Sequence, residues 1–334
     1  MSKSNKICAS GIGGQAVIEG IMMKNKDKYA VAVRKPDKTI EIDIQDYKGI
    51  TKGNKILALP FIRGVFNFVD SMVVGIKTLT YSASFFEDEE VEEEESKFEK
   101  WLTDRFGEKL ESIIMGCVVA VSIIISILLF MVLPLFIADI MERFIPLIDE
   151  NHVPIIEGIV KMIIFILYVY LISFMSDIKR TYMYHGAEHK CINCIETGKI
   201  LTVENVRASS RFHKRCGTSF LLIVMVISII FFILIDTDSR VMKYVIRILL
   251  VPVIAGISYE FIRLAGRTDN KIVGLLSKPG LWMQRITTSE PDDGMIEVAI
   301  AAVEAVFDWK TYLSDNGIEV PKECYCKKEE AGEL

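Results

Sequence analysis

The chain has 334 residues, 51% of them hydrophobic, with 39 Lys and Arg against 44 Asp and Glu and a net charge of −5. That balance leaves no basic excess to argue for a nucleic-acid partner. The apolar residues are gathered in a few long runs, which points to an α-helical integral membrane protein and to the lipid bilayer as a partner. Met1-Ser-Lys-Ser-Asn-Lys is not followed by an uninterrupted apolar stretch with a small-residue cleavage site, which argues against a cleaved secretory signal.

Residues 1–55 read as a small β-rich unit. Tyr29-Ala-Val-Ala-Val and Thr39-Ile-Glu-Ile-Asp-Ile alternate, and Lys35-Pro-Asp-Lys between them has turn chemistry. Ahead of them lies Gly11-Ile-Gly-Gly-Gln-Ala-Val-Ile-Glu-Gly. Its glycines would let backbone amides approach an anion, although a tightly packed turn explains them more simply. In residues 56–112, Arg63, Asn67, Asp70 and Lys77 recur at helical spacing within the apolar segment Leu57 to Phe86. This predicts an amphipathic helix, lying in the membrane interface or packed on the spans. The acidic run from Glu87 to Glu95 reads as a solvated linker.

Four spans are predicted. Ile113 to Ala138 is nearly free of charge, as is Ile155 to Ser176 apart from Glu157 and Lys161. Phe220 to Ile235 is shorter, and Val241 to Phe261 carries Lys243, Arg247 and Glu260. A bilayer core needs about 20 apolar residues as a helix. This divides the rest of the chain into 113–176 (two transmembrane helices), a loop at 177–219, 220–262 (two more) and a mixed segment at 263–334. The connection from Ala138 to Pro154 is mostly acidic, whereas 177–219 carries eight Lys and Arg, and Arg263, Arg267, Lys271 and Lys278 follow the last span. The positive-inside rule puts the basic segments, and both termini, in the cytosol. Glu260 lies near the cytosolic end of the last span, where Arg263 is the expected partner. A further helix is predicted over Met295 to Tyr312, started by Asp292 and Asp293, with Val298, Ala301, Ala302, Ala305 and Val306 on its packed side.

The chemistry is concentrated in 177–219, which holds three of the four histidines. In His185-Gly-Ala-Glu188-His189 the two histidines are four apart, so on a helix they share one face and reach one ion. Glu188 is then available to take a proton from water, as in the inverted zinc-protease order His-x-x-Glu-His, although Gly186 weakens the helix. Cys191-Ile-Asn-Cys194 and His213-Lys-Arg-Cys216 follow. Two metal readings compete. One uses His185 and His189 with His213 or Cys216 or both, leaving Glu188 as base. The other is a closed staple of Cys191, Cys194, His213 and Cys216. Of the seven cysteines, Cys117 falls in an apolar run and reads as inert packing, while Cys324 and Cys326 lie in a charged tail.

Gly14-Gln-Ala-Val-Ile-Glu-Gly-Ile-Met-Met, Tyr184-His-Gly-Ala-Glu-His-Lys, Leu201-Thr-Val-Glu-Asn-Val-Arg, His213-Lys-Arg-Cys-Gly-Thr-Ser-Phe and Pro279-Gly-Leu-Trp-Met-Gln-Arg-Ile-Thr-Thr occur in this order. Together they resemble the YqhQ family of bacterial membrane proteins over nearly the whole chain. The resemblance implies a multi-pass protein of the bacterial plasma membrane and a metal-dependent enzyme. It implies His185, His189, His213 and Cys216 as ligands of zinc or another divalent transition metal, with Glu188 as the catalytic group. Cys191 and Cys194 stand outside the family pattern, which favours the first metal reading, and Lys214 replaces the usual proline. The functional expectation is a zinc-dependent hydrolase at the cytosolic membrane face, acting on a membrane-associated substrate. The alternative is a scaffold or assembly factor for membrane-protein partners, with a structural metal.

Overall fold

The computed structural model describes residues 9–86, 110–148, 152–235, 240–265 and 270–321. The start of the chain, the acidic run at 87–95, Asp149, Glu150, Arg267, Cys324 and Cys326 lie outside the described residues. Four strands come first, β1 (Gly13–Val17), β2 (Gly20–Asn25), β3 (Lys28–Arg34) and β4 (Ile40–Asp46). The helices are α1 (Ile62–Ala83), α2 (Leu110–Ile127), α3 (Leu133–Phe144), α4 (Val153–Ile172), α5 (Ser176–Glu196), α6 (Val203–Arg207), α7 (Gly217–Ile233), α8 (Arg240–Ala265), α9 (Lys271–Thr287), α10 (Asp293–Val306) and α11 (Trp309–Asp315). They divide between two compact units, residues 1–85, 172–223 and 252–334 in one and 86–171 and 224–251 in the other.

In the first unit the strands form an antiparallel meander in the order β1-β2-β3-β4. Val17 pairs with Gly20 and Asn25 with Lys28, so two-residue turns join the first three strands. Arg34 pairs with Ile40 across the turn foreseen at Lys35-Pro-Asp-Lys. One face of the sheet meets α5 and α10, and α1 packs on β1 and β3. Covered in this way, β3 buries Tyr29, Ala30, Val31, Ala32 and Val33 in succession instead of alternating. The apolar core beneath the sheet joins Ile21, Met23 and Ala32 to Tyr184, Ala187 and Ile192 of α5 and to Ile296, Ala299 and Val303 of α10.

Residues 177–219 are mostly helix, α5 running unbroken through Gly186. A Cβ at Gly186 would lie 2.0 Å from the Ser289 carbonyl oxygen, so the position that weakens the helix is where another backbone crosses it. The helix expected over Met295 to Tyr312 is two helices, α10 and α11, split at Phe307 and Asp308. Asp292 caps α10, accepting from the Met295 N–H at 2.8 Å, and Asp308 caps α11 through Thr311.

The amphipathic helix α1 is turned inside out. Gly64, Asp70, Gly75, Thr78 and Ser82 are buried, while Met72, Val73 and Ile76 are more than half exposed. Its small and polar face packs on α8, where a Cβ at Gly64 would lie 3.0 Å from the Gly256 Cα. Arg63 grips Glu260 with two bonds of 2.6 Å, whereas Arg263 stands 3.9 Å from it. The partner of Glu260 is therefore chiefly on α1 and not one turn along its own helix.

In the second unit, α2 continues through a π-helical segment, Leu128–Val132, into α3. Pro134 lies just beyond that segment. It lacks a backbone N–H and crowds the preceding turn, and the wider π turn accommodates both. Glu157 of α4 and Arg247 of α8 form a buried ion pair with one hydrogen bond of 2.9 Å and a second N–O approach of 2.8 Å, and Lys161 Nζ stands 3.7 Å from the same carboxylate. Among the described residues three helical stretches are long and apolar enough to cross a membrane, Gly116–Phe144, Val153–Ile172 and Val245–Ala265. The remaining predicted span, α7, is a shorter apolar helix. Cys117, read as inert packing in an apolar run, is exposed on α2.

Candidate metal centre

Helix α5 carries the half-buried His185 and the buried Glu188 and His189. Lys190 and Asn193 hold the next segment against this helix. The Lys190 Nζ donates to the Arg207 and Ser209 carbonyls at 2.8 and 3.0 Å, and Asn193 Nδ2 donates to Ser210 and Phe212. Gln284 of α9, fully buried, closes the arrangement from the other side. Its Oε1 accepts the His213 N–H at 2.8 Å, and its Nε2 donates to the His213 carbonyl and to Ser219 Oγ. Cys216 is thereby fixed at the start of α7, where its carbonyl accepts the Phe220 N–H.

Three side chains converge. The ligand atoms of His185, His189 and Cys216 all lie within 4.8 Å of one another. The Cys216 Sγ is 3.3 Å from His185 Nε2 and 3.0 Å from Thr218 Oγ1. His185 Nδ1 lies 2.8 Å from the Thr287 carbonyl, and His189 Nδ1 lies 2.7 Å from the Arg211 carbonyl. A carbonyl only accepts, so each Nδ1 carries a proton and each Nε2 is the ring atom left to face an ion, which would displace any proton held there. Imidazoles that bind metals are oriented in this way.

His213 stands apart from the three. Its ring centroid is 5.6 Å from that of His189, and its Nε2 faces Glu196 Oε2 at 3.6 Å. Glu196 also binds Arg215 and accepts from the Ser10 N–H and hydroxyl at 2.8 and 2.7 Å. Burial alone would raise the Glu196 carboxyl, but the contact with His213, the Arg215 charge and Ser10 outweigh it and bring it down to about 2. Cys191 and Cys194 belong to the apolar core, where burial pushes both thiols up, Cys194 to about 11. Among the described residues, the four-residue staple of Cys191, Cys194, His213 and Cys216 is not assembled.

The electrostatics favour a thiolate at Cys216. Burial opposes charge on Cys216 and on His185, yet each supplies the opposite charge to the other. The Cys216 thiol is held well below its ordinary value, with His189 adding to the effect, and His185 is raised to about 9. Two imidazole nitrogens and a thiolate suit a borderline-soft ion such as zinc, whereas magnesium or calcium would find a single carboxylate nearby.

Glu188 lies on the same helix as the histidines, its Oε1 accepting the Gly14 N–H at 3.0 Å. A Cβ on Gly14 would sit 2.5 Å from the Met22 carbonyl oxygen and 3.1 Å from Glu188 Cγ, so this contact needs glycine. His185, Glu188, His189, His213 and Cys216 all line one cavity of about 690 Å³, whose other walls come from β1, β2, α1 and α8. Sequence reasoning did not single out Glu196, Gln284 or Thr287. Gln284 and Thr287 do fall within the quoted motif from Pro279 to Thr288, which was the available signal.

These features define a mostly helical protein with a small antiparallel sheet, span-length apolar helices and a buried cluster of two histidines and a cysteine. The chain belongs to the family described as Protein of unknown function (DUF1385), whose pattern matches residues 59–309. It is 36% identical over 295 residues to the "Uncharacterized protein YqhQ" of Bacillus subtilis (strain 168), covering 86% of this chain and 89% of that protein. No solved structure matches the chain.

Proposed function

We propose that this protein is a membrane-embedded, metal-dependent hydrolase that acts at the cytosolic face of the bacterial plasma membrane on a membrane-associated substrate. The metal is zinc or another divalent transition ion, held by His185, His189 and Cys216. The observation that carries this reading is the convergence of those three donors on a cavity wall, each imidazole fixed by a backbone carbonyl. Three protein ligands beside open space are the pattern of catalytic zinc, and structural zinc takes four.

An ion so held supplies Lewis-acid chemistry, bringing the pKa of water from about 16 toward 7. Glu188, anchored through one oxygen by Gly14, accepts the proton as water attacks the scissile centre and returns it to the leaving group as the old bond breaks. A metal that only staples α5 to α7, in a scaffold for other membrane proteins, would need the three ligands but not Glu188.

Membrane residence is supported by Val118, Ile123, Ile124 and Leu128, all more than half exposed along one apolar stretch. With α7 as the short fourth crossing, basic residues 177–219 and both termini fall on the cytosolic side. The test is turnover of chromogenic phosphate and carboxylate esters by the full chain and by Glu188→Gln. Metal retained and turnover lost supports the hydrolase, whereas equal behaviour of the two proteins contradicts it.

A further inference from the structure

We infer that the cavity beside His185, His189 and Cys216 takes a phosphorylated amphiphile, with its anionic headgroup on Lys24 and Lys26 and its apolar end against Val74 and Ile262. This rests on the proposed function for the fate of the ligand and deepens it by naming the substrate class.

Charge is the first argument. The cavity is lined by Lys24, Lys26, Arg215 and Arg263 but by one carboxylate, Glu188. Arg215 is paired with Glu196, and Arg263 approaches Glu260 at 3.9 Å. Among the described residues neither Lys24 nor Lys26 has an ion-pair contact within 4 Å, although the Asp70 charge acts on Lys24 against its burial. The Lys24 ammonium instead rests 3.3 Å from the centroid of the Tyr47 ring, whose hydroxyl is bonded to Asp70. Both lysines also line an adjoining hollow of about 280 Å³ together with Lys52 and Asp27, which pair with each other, so the charge of Lys24 and Lys26 sits where two hollows meet. A phosphate monoester carries a charge of about −1.5 to −2 at pH 7, which two lysines match.

Apolar surface is the second. Val74 belongs to α1, which turns its apolar residues outward. Ile262 belongs to α8, one of the helices apolar enough to cross a membrane. The cavity thus joins a cationic wall from β2 to an apolar wall from two helices suited to lipid. A free phosphate would use only the first wall and a neutral lipid only the second. The volume of about 690 Å³ falls within the range of roughly 300–1,000 Å³ typical of small-ligand sites.

The test uses the full chain in neutral detergent, in the Glu188→Gln background so that turnover does not consume the ligand. Dioctanoyl phosphatidic acid, dioctanoylglycerol and inorganic phosphate are titrated calorimetrically. Saturable binding of the phosphatidic acid is expected, with the other two at least about tenfold weaker, and a loss of about tenfold or more in the double variant K24Q/K26Q. Lys26 is exposed, so K26Q alone keeps the fold and is expected to weaken binding by about threefold. Equal affinity for dioctanoylglycerol, equal affinity for inorganic phosphate, or full affinity in K24Q/K26Q would each overturn the inference. Zinc content is read in parallel. Selective lipid binding without zinc would support this inference while sinking the metal-dependent hydrolase.

Discussion

The backbone N–H of Gly14 donates to Glu188 Oε1 at 3.0 Å, joining positions 174 apart in the chain. The glycine-rich segment that could have cradled a foreign anion meets a carboxylate of its own chain. Only a residue without a side chain allows that approach. Gly14→Ala is therefore expected to lose about 1–3 kcal/mol of stability through overpacking and to lower hydrolysis by displacing Glu188. Thermal unfolding in detergent alongside turnover checks this, with Gly13→Ala, which meets nothing within 4 Å, as the silent control.

A harsher outcome is expected at Gly186. Its added methyl would drive α5 away from Ser289, two residues beyond the Thr287 carbonyl that orients His185. Gly186→Ala should lose zinc even where folded protein is recovered. A folded variant with full zinc content would show that the crossing at Ser289 does not set the position of His185.

Acid should act through Glu196. Its carboxyl is depressed to about 2 from an ordinary 4.5, so the stability it contributes is present above the ordinary value and is lost as pH falls through the folded one. Unfolding temperatures of wild type and Glu196→Gln should differ most at neutral pH and converge between about pH 4.5 and 2. A constant gap across that window would mean that the contacts with His213, Arg215 and Ser10 do not depend on the ionised carboxylate.

Much of this arrangement was legible in the chain because it is local. The spacing of His185 and His189 put both rings on one helical face, and the long apolar runs marked the span-length helices. Cys216 joined the histidines through the motif that carries it. What stayed hidden depends on tertiary contacts. Nothing near His213 announced that it would turn toward Glu196, a residue on the far end of α5. The outward apolar face of α1 was equally unreadable, since hydrophobic periodicity says which residues share a face but not which face meets protein. The bond from Arg63 to Glu260 has the same origin, because pairing along one helix is visible in sequence and pairing between helices is not.

The Glu157–Arg247 pair in the second unit should be costly to break from one side. Arg247→Met leaves the buried carboxylate without its hydrogen-bonded partner, and a loss of about 3–5 kcal/mol is expected. The double variant Glu157→Met/Arg247→Met should recover part of it, since Lys161 then loses the carboxylate 3.7 Å away. Measured by thermal unfolding in the same detergent, a double variant as unstable as the single one would show that the pair is not energetically coupled.

An ion held by His185, His189 and Cys216 is the central requirement of the proposed chemistry. Elemental analysis of the full chain, purified without chelator, tests that directly. Wild type, Glu188→Gln and Cys191→Ala are expected to hold about one transition-metal ion per chain, and His185→Ala and Cys216→Ser close to none. A metal-free wild type, or a His185→Ala variant that keeps the ion, would contradict it.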